Sequence, residues 1–256
     1  MRTIPFSQIL FDALQYSGND RYNINKETFG QFRDFINSRL REAWESQEWQ
    51  DLCRVAQFTT TTDANGVCSF TPASDVGEIF GVYNYNPLTS SRTTDYTFTL
   101  FDDGTTAKVI LDSSTIGSGW YYYRTKVPNL SGDIFNPLVA YAVGSQVYFD
   151  SGSNTPTYVP VEGFPHTGNF YTCIVNTNAG QSPSTNSTKW SVITLPYIFA
   201  HFLSWGAGAN WYASEGMMQE AGVLESKAQQ VLDNEVDKIT RQQKQIPKLK
   251  FTNPYR

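Results

Sequence analysis

His166 and His201 are the only two histidines in the 256-residue chain. A general base or metal centre built on imidazole would have to use one of them. His166 lies in Gly163-Phe164-Pro165-His166-Thr167-Gly168, a loop-like run with no catalytic signature around it. His201 falls inside the most apolar helical stretch and reads as a satisfied core histidine. Nucleophilic catalysis needs a nucleophile, a base within hydrogen-bond reach and an orienting group. No GxSxG, HExxH, Walker-type loop or GxGxxG occurs. Gly206-Ala207-Gly208 resembles a dinucleotide loop only superficially, because it follows a helix rather than a strand, and close helix packing explains it better. The adjacent carboxylates Asp102-Asp103 could suggest glycosidase chemistry, yet neighbours on a strand point to opposite faces and the pair reads as a hairpin turn. The spaced acidic ligands of a calcium loop are missing. Cys53, Cys68 and Cys173 form no CxxC pair and are too few for a disulfide framework. No catalytic residue, cofactor or metal is expected, so the protein reads as a reduced structural or binding protein and not an enzyme.

Charge points to partners instead. Nineteen Lys and Arg stand against 24 Asp and Glu, a formal net charge of −5, which argues against a general polyanion binder. The last nineteen residues invert that balance, with six basic residues and no acidic one. From Gln243 they read as an extended tail, because Pro247 and Pro254 interrupt any helix. Ile246, Leu249, Phe251 and Tyr255 are interleaved there with Lys244, Lys248, Lys250 and Arg256. Basic residues alternating with apolar anchors suit docking as an extended segment on an acidic, partly apolar partner surface. Nucleic acid would also accept cations and stacking aromatics, but the acidic remainder of the chain argues against that as the main role.

Those groups need elements to carry them. Apolar residues at Phe29, Phe32, Ile36, Leu40 and Trp44 have helical spacing, with Asn25 as N-cap and Glu27 in the first turn. Phe6 to Tyr16 is a second helix candidate, ended by Gly18. Residues 57–192 are rich in Thr, Ser, Gly, Tyr and Val in short runs between turn signals, the pattern of an all-β region. Asn65-Gly66, between VAQFTTTT and VCSFT, is a strong hairpin signal, and Asp102-Asp103-Gly104 separates two further strands. Four to six strands are expected before Pro128. Helical pattern returns at Leu195, with Pro196 in the first turn. Gly216 marks a break, and Ala221, Leu224, Ala228, Val231, Leu232, Val236 and Ile239 trace one helical face.

The expected class is α+β: a helical bundle formed by both chain ends, with an all-β region inserted between them. Its parts are a helical core over 1–56 and 193–242, a β subdomain over 57–134, a small β unit over 135–192 and the tail over 243–256. The small unit is short for independent stability and should lean on its host. No signal peptide is expected, since Asp12 interrupts Ile9-Leu10-Phe11 and no cleavage site follows. The uncharged stretch Val192 to Ala213 is long enough to span a bilayer, but its Pro, His and Asn favour a buried helix, and no membrane partner is expected.

Two resemblances emerge from particular residues. Asn37-x-Arg39-Leu40 followed by Ala43-Trp44 and Trp49, Tyr123-Arg124 with Pro128, and Gly216 followed by a helix from Ala221 resemble head-to-tail adaptor (connector) proteins of tailed bacteriophages. These features cover about 120 residues. The insert, through Tyr141-Ala142-x-Gly144-x-x-Val147, Gly168-x-x-Tyr171-x-Cys173, Pro183 and Trp190, is similar to the small chitin-binding type of carbohydrate-binding module. That family's exposed aromatic pair has no counterpart at Thr172-Cys173-Ile174-Val175-Asn176.

The adaptor resemblance implies a structural virion protein in the neck between capsid and tail, made in the host cytoplasm. It would be a homo-oligomeric ring, usually of twelve copies, seated on the portal protein and offering a platform to the tail or the next neck-ring protein. DNA would pass through its channel without sequence-specific binding. The portal-docking residues would be Lys244, Ile246, Lys248, Leu249, Lys250, Phe251, Tyr255 and Arg256. The second resemblance implies the alternative, a glycan-binding module attaching particles to host carbohydrate, with Tyr141, Tyr171 and Trp190 as candidate contacts. The residues themselves favour core positions for those three.

Overall fold

The computed structural model of the chain describes residues 2–20, 24–90, 93–102, 104, 107–112, 116–150 and 167–244. It is an α+β protein with four α-helices among the described residues. The chain divides into two compact units, one made of Met1–Gln47 with Pro128–Arg256, the other of Glu48–Val127.

The first unit begins with the short strand β1 (Thr3–Ile4), helix α1 (Phe6–Tyr16) and helix α2 (Lys26–Glu45). In α1 the side chains of Phe6, Ile9, Leu10, Ala13 and Leu14 are all buried, the i, i+3, i+4, i+7 stripe of a core-facing helix. Helix α2 starts where the Asn25 side chain accepts a hydrogen bond from the Thr28 N–H at 2.7 Å. That bond satisfies one of the four orphan donors of the first turn and is worth about 1 kcal/mol. Its buried stripe is Phe29, Phe32, Ile36, Arg39, Leu40, Ala43 and Trp44. One member is a cation.

The second unit is all β, built from β2 (Cys53–Thr59), β3 (Thr61–Thr62), β4 (Cys68–Phe70), β5 (Val76–Tyr83), β6 (Asp95–Tyr96), β7 (Phe98–Asp102), β8 (Ala107–Leu111) and β9 (Ser118–Thr125). Eight short strands thus stand where four to six were expected. The extra ones arise because two extended stretches each break at a single residue and change sheet. One sheet has the order β2-β9-β5-β6, the other β3-β4-β8-β7. Only Thr60 separates β2 from β3 and only Thr97 separates β6 from β7, so both stretches act as corners of a sandwich. The core between the sheets holds Phe58, Phe70, Val82, Val109, Leu111, Tyr121 and Tyr123, with Phe58 stacked on Phe70 at 4.1 Å between centroids.

The Asn65-Gly66 turn forms, with Gly66 at φ 79° and Asp63 Oδ1 accepting from the Asn65 and Val67 N–H groups. The hairpin it closes is shorter than its flanking sequences suggested. Only Thr61 and Thr62 pair across it, while Cys53–Thr59 pairs with β9 instead. Asp102 ends β7 opposite Ala107 of β8, as a hairpin turn requires, and its carboxylate accepts from the Gly104 N–H.

The chain then returns to the first unit through β10 (Asp133–Ile134), β11 (Gln146–Phe149), β12 (Asn169–Cys173), β13 (Trp190–Val192), β14 (Leu195–Pro196), α3 (Ala200–Ser214) and α4 (Met218–Lys244). Strands β10 to β13 form one sheet in sequence order. Strand β14 pairs with β1, Thr3 opposite Pro196. Pro196 is therefore extended, not in a first helical turn, and a 3-10 turn over Tyr197–Phe199 precedes α3. His201 is exposed near the start of α3. The core reading fails because the buried side of that helix runs through Phe202, Leu203, Gly206, Ala207 and Ala209, leaving position 201 outward. No helix among the described residues is long and apolar enough to cross a membrane.

Candidate functional site

The notable polar cluster lies on α2. Arg39 is only 9% exposed and sits on the apolar stripe, so its charge demands partners. Its Nη1 donates to Glu225 at 2.9 Å and to Glu42 at 3.1 Å. Its Nη2 donates to Asn210 Oδ1 at 2.8 Å and closes a second bond to Glu225. The guanidinium thus grips a carboxylate of α4 in the bidentate fork that arginine alone supplies. Through Asn210 it also holds α3.

Arg39 reaches that position because position 206 is glycine. A Cβ there would lie 2.9 Å from Arg39 Nε and 3.0 Å from Cδ, so the arginine side chain would have to shift. The Nε itself is buried and has no acceptor among the described residues. Gly208 plays a similar part toward α4, where a Cβ would meet Leu224 at 3.1 Å. Gly206-Ala207-Gly208 is therefore a packing seam of α3, in keeping with its helical context.

Two residues before Arg39, Asn37 performs a different task. Its side-chain amide donates to the Leu130 carbonyl and accepts from the Leu130 N–H, both at 2.9 Å. The chain leaving Pro128 is thereby pinned to α2. Asn37-x-Arg39 thus contains two anchors, one for the β10 approach and one for α3 and α4.

Helices α3 and α4 form an αα-hairpin. It turns at Gly216, φ 78°, where the Met217 N–H reaches back to the Tyr212 carbonyl at 2.8 Å. At 1.5 Å per residue α3 is about 22 Å long and α4 about 40 Å. Ala221, Leu224, Ala228 and Leu232 of α4 are buried, whereas beyond Leu232 Val236 and Ile239 are only half-buried. The final turns of α4 thus run past the helix they started against. They lead directly into the basic tail. Helix α4 extends to Lys244, so it takes in Gln243 and Lys244, where the sequence placed the tail's start. Ile246, Lys248, Leu249, Lys250, Phe251, Tyr255 and Arg256 lie outside the described residues.

Tyr141, Tyr171 and Trp190 belong to one cluster on the side of the β10–β13 sheet turned away from α1 and α2. Trp190 is buried with Val147 and Cys173, and Phe135, Tyr141 and Tyr171 pack against them half-buried. Trp190 meets Tyr141 edge-on at 5.4 Å and its indole N–H donates to the Gln181 carbonyl at 3.0 Å. Because Trp190 is 5% exposed, Trp190→Ala is expected to cost roughly 3–5 kcal/mol. A urea titration would measure this, and an unchanged midpoint would refute the core role.

The opposite side of the same sheet carries Tyr148 and Phe170, cross-strand partners in β11 and β12. They meet Phe6 of α1 and Phe29 of α2 in an aromatic cluster, with centroids 4.9 Å apart for Phe6–Phe170 and 4.7 Å for Phe29–Tyr148. Burial pushes the Tyr148 phenol far above its ordinary range, and its oxygen accepts from the Gly168 N–H at 2.9 Å.

Among the titratable groups of the second unit, Cys53 and Tyr122 interact with each other and with Glu48. Burial is the main cause raising both, and the nearby Glu48 charge adds to it. A thiol held protonated is a poor nucleophile. Among the described residues no group of three or more His, Cys, Asp and Glu could hold a metal ion. No family model matches the chain, and no curated protein matches it.

Proposed function

We propose that this protein is a head-to-tail adaptor of a tailed bacteriophage, a ring subunit that joins the portal to the tail and continues the DNA channel. In this reading α1 and α2 from one chain end and α3 and α4 from the other constitute a single helical bundle, with the β material inserted between them. The observation that carries it is the α3–α4 hairpin clasped by Arg39, whose long second helix leads into a segment of alternating cations and apolar anchors. A rigid stem followed by an extended docking strand is a suitable tool for seating one ring on another, because the stem fixes direction and the strand supplies contacts. The acidic balance, 24 Asp and Glu against 19 Lys and Arg, suits a wall past which DNA slides.

The reading has a direct test in two parts. Quantitative mass spectrometry of purified particles should find this chain at a copy number close to that of the portal. Truncation after Lys244 should weaken portal binding at least tenfold while leaving circular dichroism unchanged. Absence from particles, or portal affinity equal to that of the full chain, would discard the adaptor reading.

A further inference from the structure

The β sandwich of the second unit does not close everywhere. Strand β5 meets β6 only at Val82 and Tyr83. Toward its beginning, at Val76–Ile79, it pairs with β9 on one side and has no ladder partner on the other among the described residues. Strand β7 ends its sheet, paired among the described residues with β8 alone. Between these two edges lies a cleft of about 210 Å³ whose lining includes Val76, Ile79, Leu100, Phe101 and Ala107, together with Asp102 and Lys108. Leu100 is 61% and Phe101 51% exposed.

Open strand edges are normally blunted by Lys, Pro or a bulge, since they present a ready template for another strand. Phe98-Thr99-Leu100-Phe101-Asp102 contains no Lys or Pro, and its pairing with β8 is unbroken by a bulge. The edge is thus built like one that receives a strand.

We infer that this cleft accepts residues 248–252 of a neighbouring copy of the same chain, added as a strand along β7. Lys248-Leu249-Lys250-Phe251-Thr252 alternates with period two and is bounded by Pro247 and Pro254. An extended backbone therefore places Leu249 and Phe251 on one face and Lys248 and Lys250 on the other. Five residues match the five of β7. The apolar pair fits the cleft's aliphatic and aromatic lining. Charge is complementary as well: the β unit over 48–127 holds nine Asp and Glu against five Lys and Arg, while residues 245–256 hold three Lys and Arg and no acid. The donor is a second copy of the chain, and the sedimentation arm below separates this from docking within one chain. Contacts of this head-to-tail kind, between unlike surfaces, close into rings where the rotation between copies closes and otherwise propagate as filaments. The segment is the one the adaptor reading seats on the portal, so the two engagements are alternatives for the same residues; the test below contains no portal, and its failure leaves that reading untouched.

The test uses the chain ending at Lys244 and a fluorescent peptide of residues 245–256. Saturable binding in the micromolar range is expected, weakened at least tenfold by Phe101→Asp or Leu100→Lys, both at exposed positions. A scrambled peptide of the same composition should bind at least tenfold less. No saturable binding, equal binding of the scrambled peptide, or equal binding to both variants would overturn the proposal. Sedimentation tests the donor: the full chain should associate with rising concentration and the truncated chain should not. A full chain that stays monomeric throughout would overturn the exchange between copies.

Discussion

Arg39→Met should lower the stability of the helical transition by about 2–4 kcal/mol, which for a protein of this size is roughly 5–10 °C in Tm. Removing one member of a buried ionic cluster leaves the others uncompensated, and that penalty is usually about 3–5 kcal/mol. Here it is moderated because the Glu225 and Glu42 side chains are 42% and 51% exposed and regain water. The lost packing of the aliphatic stem adds to the cost. Arg39→Lys is expected to recover only part of it, since a single ammonium cannot reach Glu225 in bidentate fashion and Asn210 at once. Gly206→Ala gives an independent handle on the same contact. Its methyl would displace the guanidinium, and a loss of about 1–3 kcal/mol is expected from overpacking. In the Arg39→Met background the methyl meets a more pliable side chain, so the two losses should sum to less than their separate values. Thermal and urea denaturation followed by far-UV circular dichroism would measure all four proteins. Wild-type stability in Arg39→Met would show that the clasp contributes nothing.

Phe170→Ala should be more damaging still, by about 3–5 kcal/mol. Phe170 is fully buried and sits between Phe6, Phe29 and Tyr148. Those rings come from α1, α2 and the β11–β12 pair, so the cavity opens on helices and sheet alike. The informative quantity is which signals move together. Loss of the helical signal and of hydrogen-exchange protection in β11 and β12 should occur in one transition, because the sheet has no separate core on that face. If the β signals melted first and the helices survived with their original midpoint, the small sheet would be a self-sufficient module.

That cluster also explains what local sequence could reveal. The spacing in α2, its Asn25 cap, the bounds of α1 and the Asn-Gly turn are all readable, because helix stripes, caps and tight turns depend on residues within a few positions of one another. The break at Gly216 and the packing use of Gly206 and Gly208 follow from the same short-range logic. Strand partners do not. The stretch after Leu52 and the hairpin sequence after Asp63 were natural neighbours by proximity, yet β2 runs beside β9, with Cys53 opposite Arg124 and Thr59 opposite Ser118. Period-two alternation states which face a side chain takes but says nothing about the strand alongside.

Arg39 shows the same limit from the other side. Counting Phe29, Phe32, Ile36, Arg39, Ala43 along the helix puts a cation on the apolar stripe, a signal present in the sequence that an inventory of exposed charges passes over. Its partners could not be read there, since Asn210 and Glu225 lie 171 and 186 residues further on. His201 erred in the opposite direction: an apolar neighbourhood in sequence suggested burial, while the rotation of α3 turned that one position outward. Likewise the cleft beside β7 is lined by residues of β5, β7 and β8, which only the folded unit brings together. The sequence by itself determined the helices, their caps and turns, and the alternating basic tail, since each is set by interactions along a few consecutive residues. Tertiary structure alone decided which strands pair, which carboxylate holds Arg39 and where a strand edge stays open, because those depend on contacts between segments whose separation the chain's local chemistry does not encode.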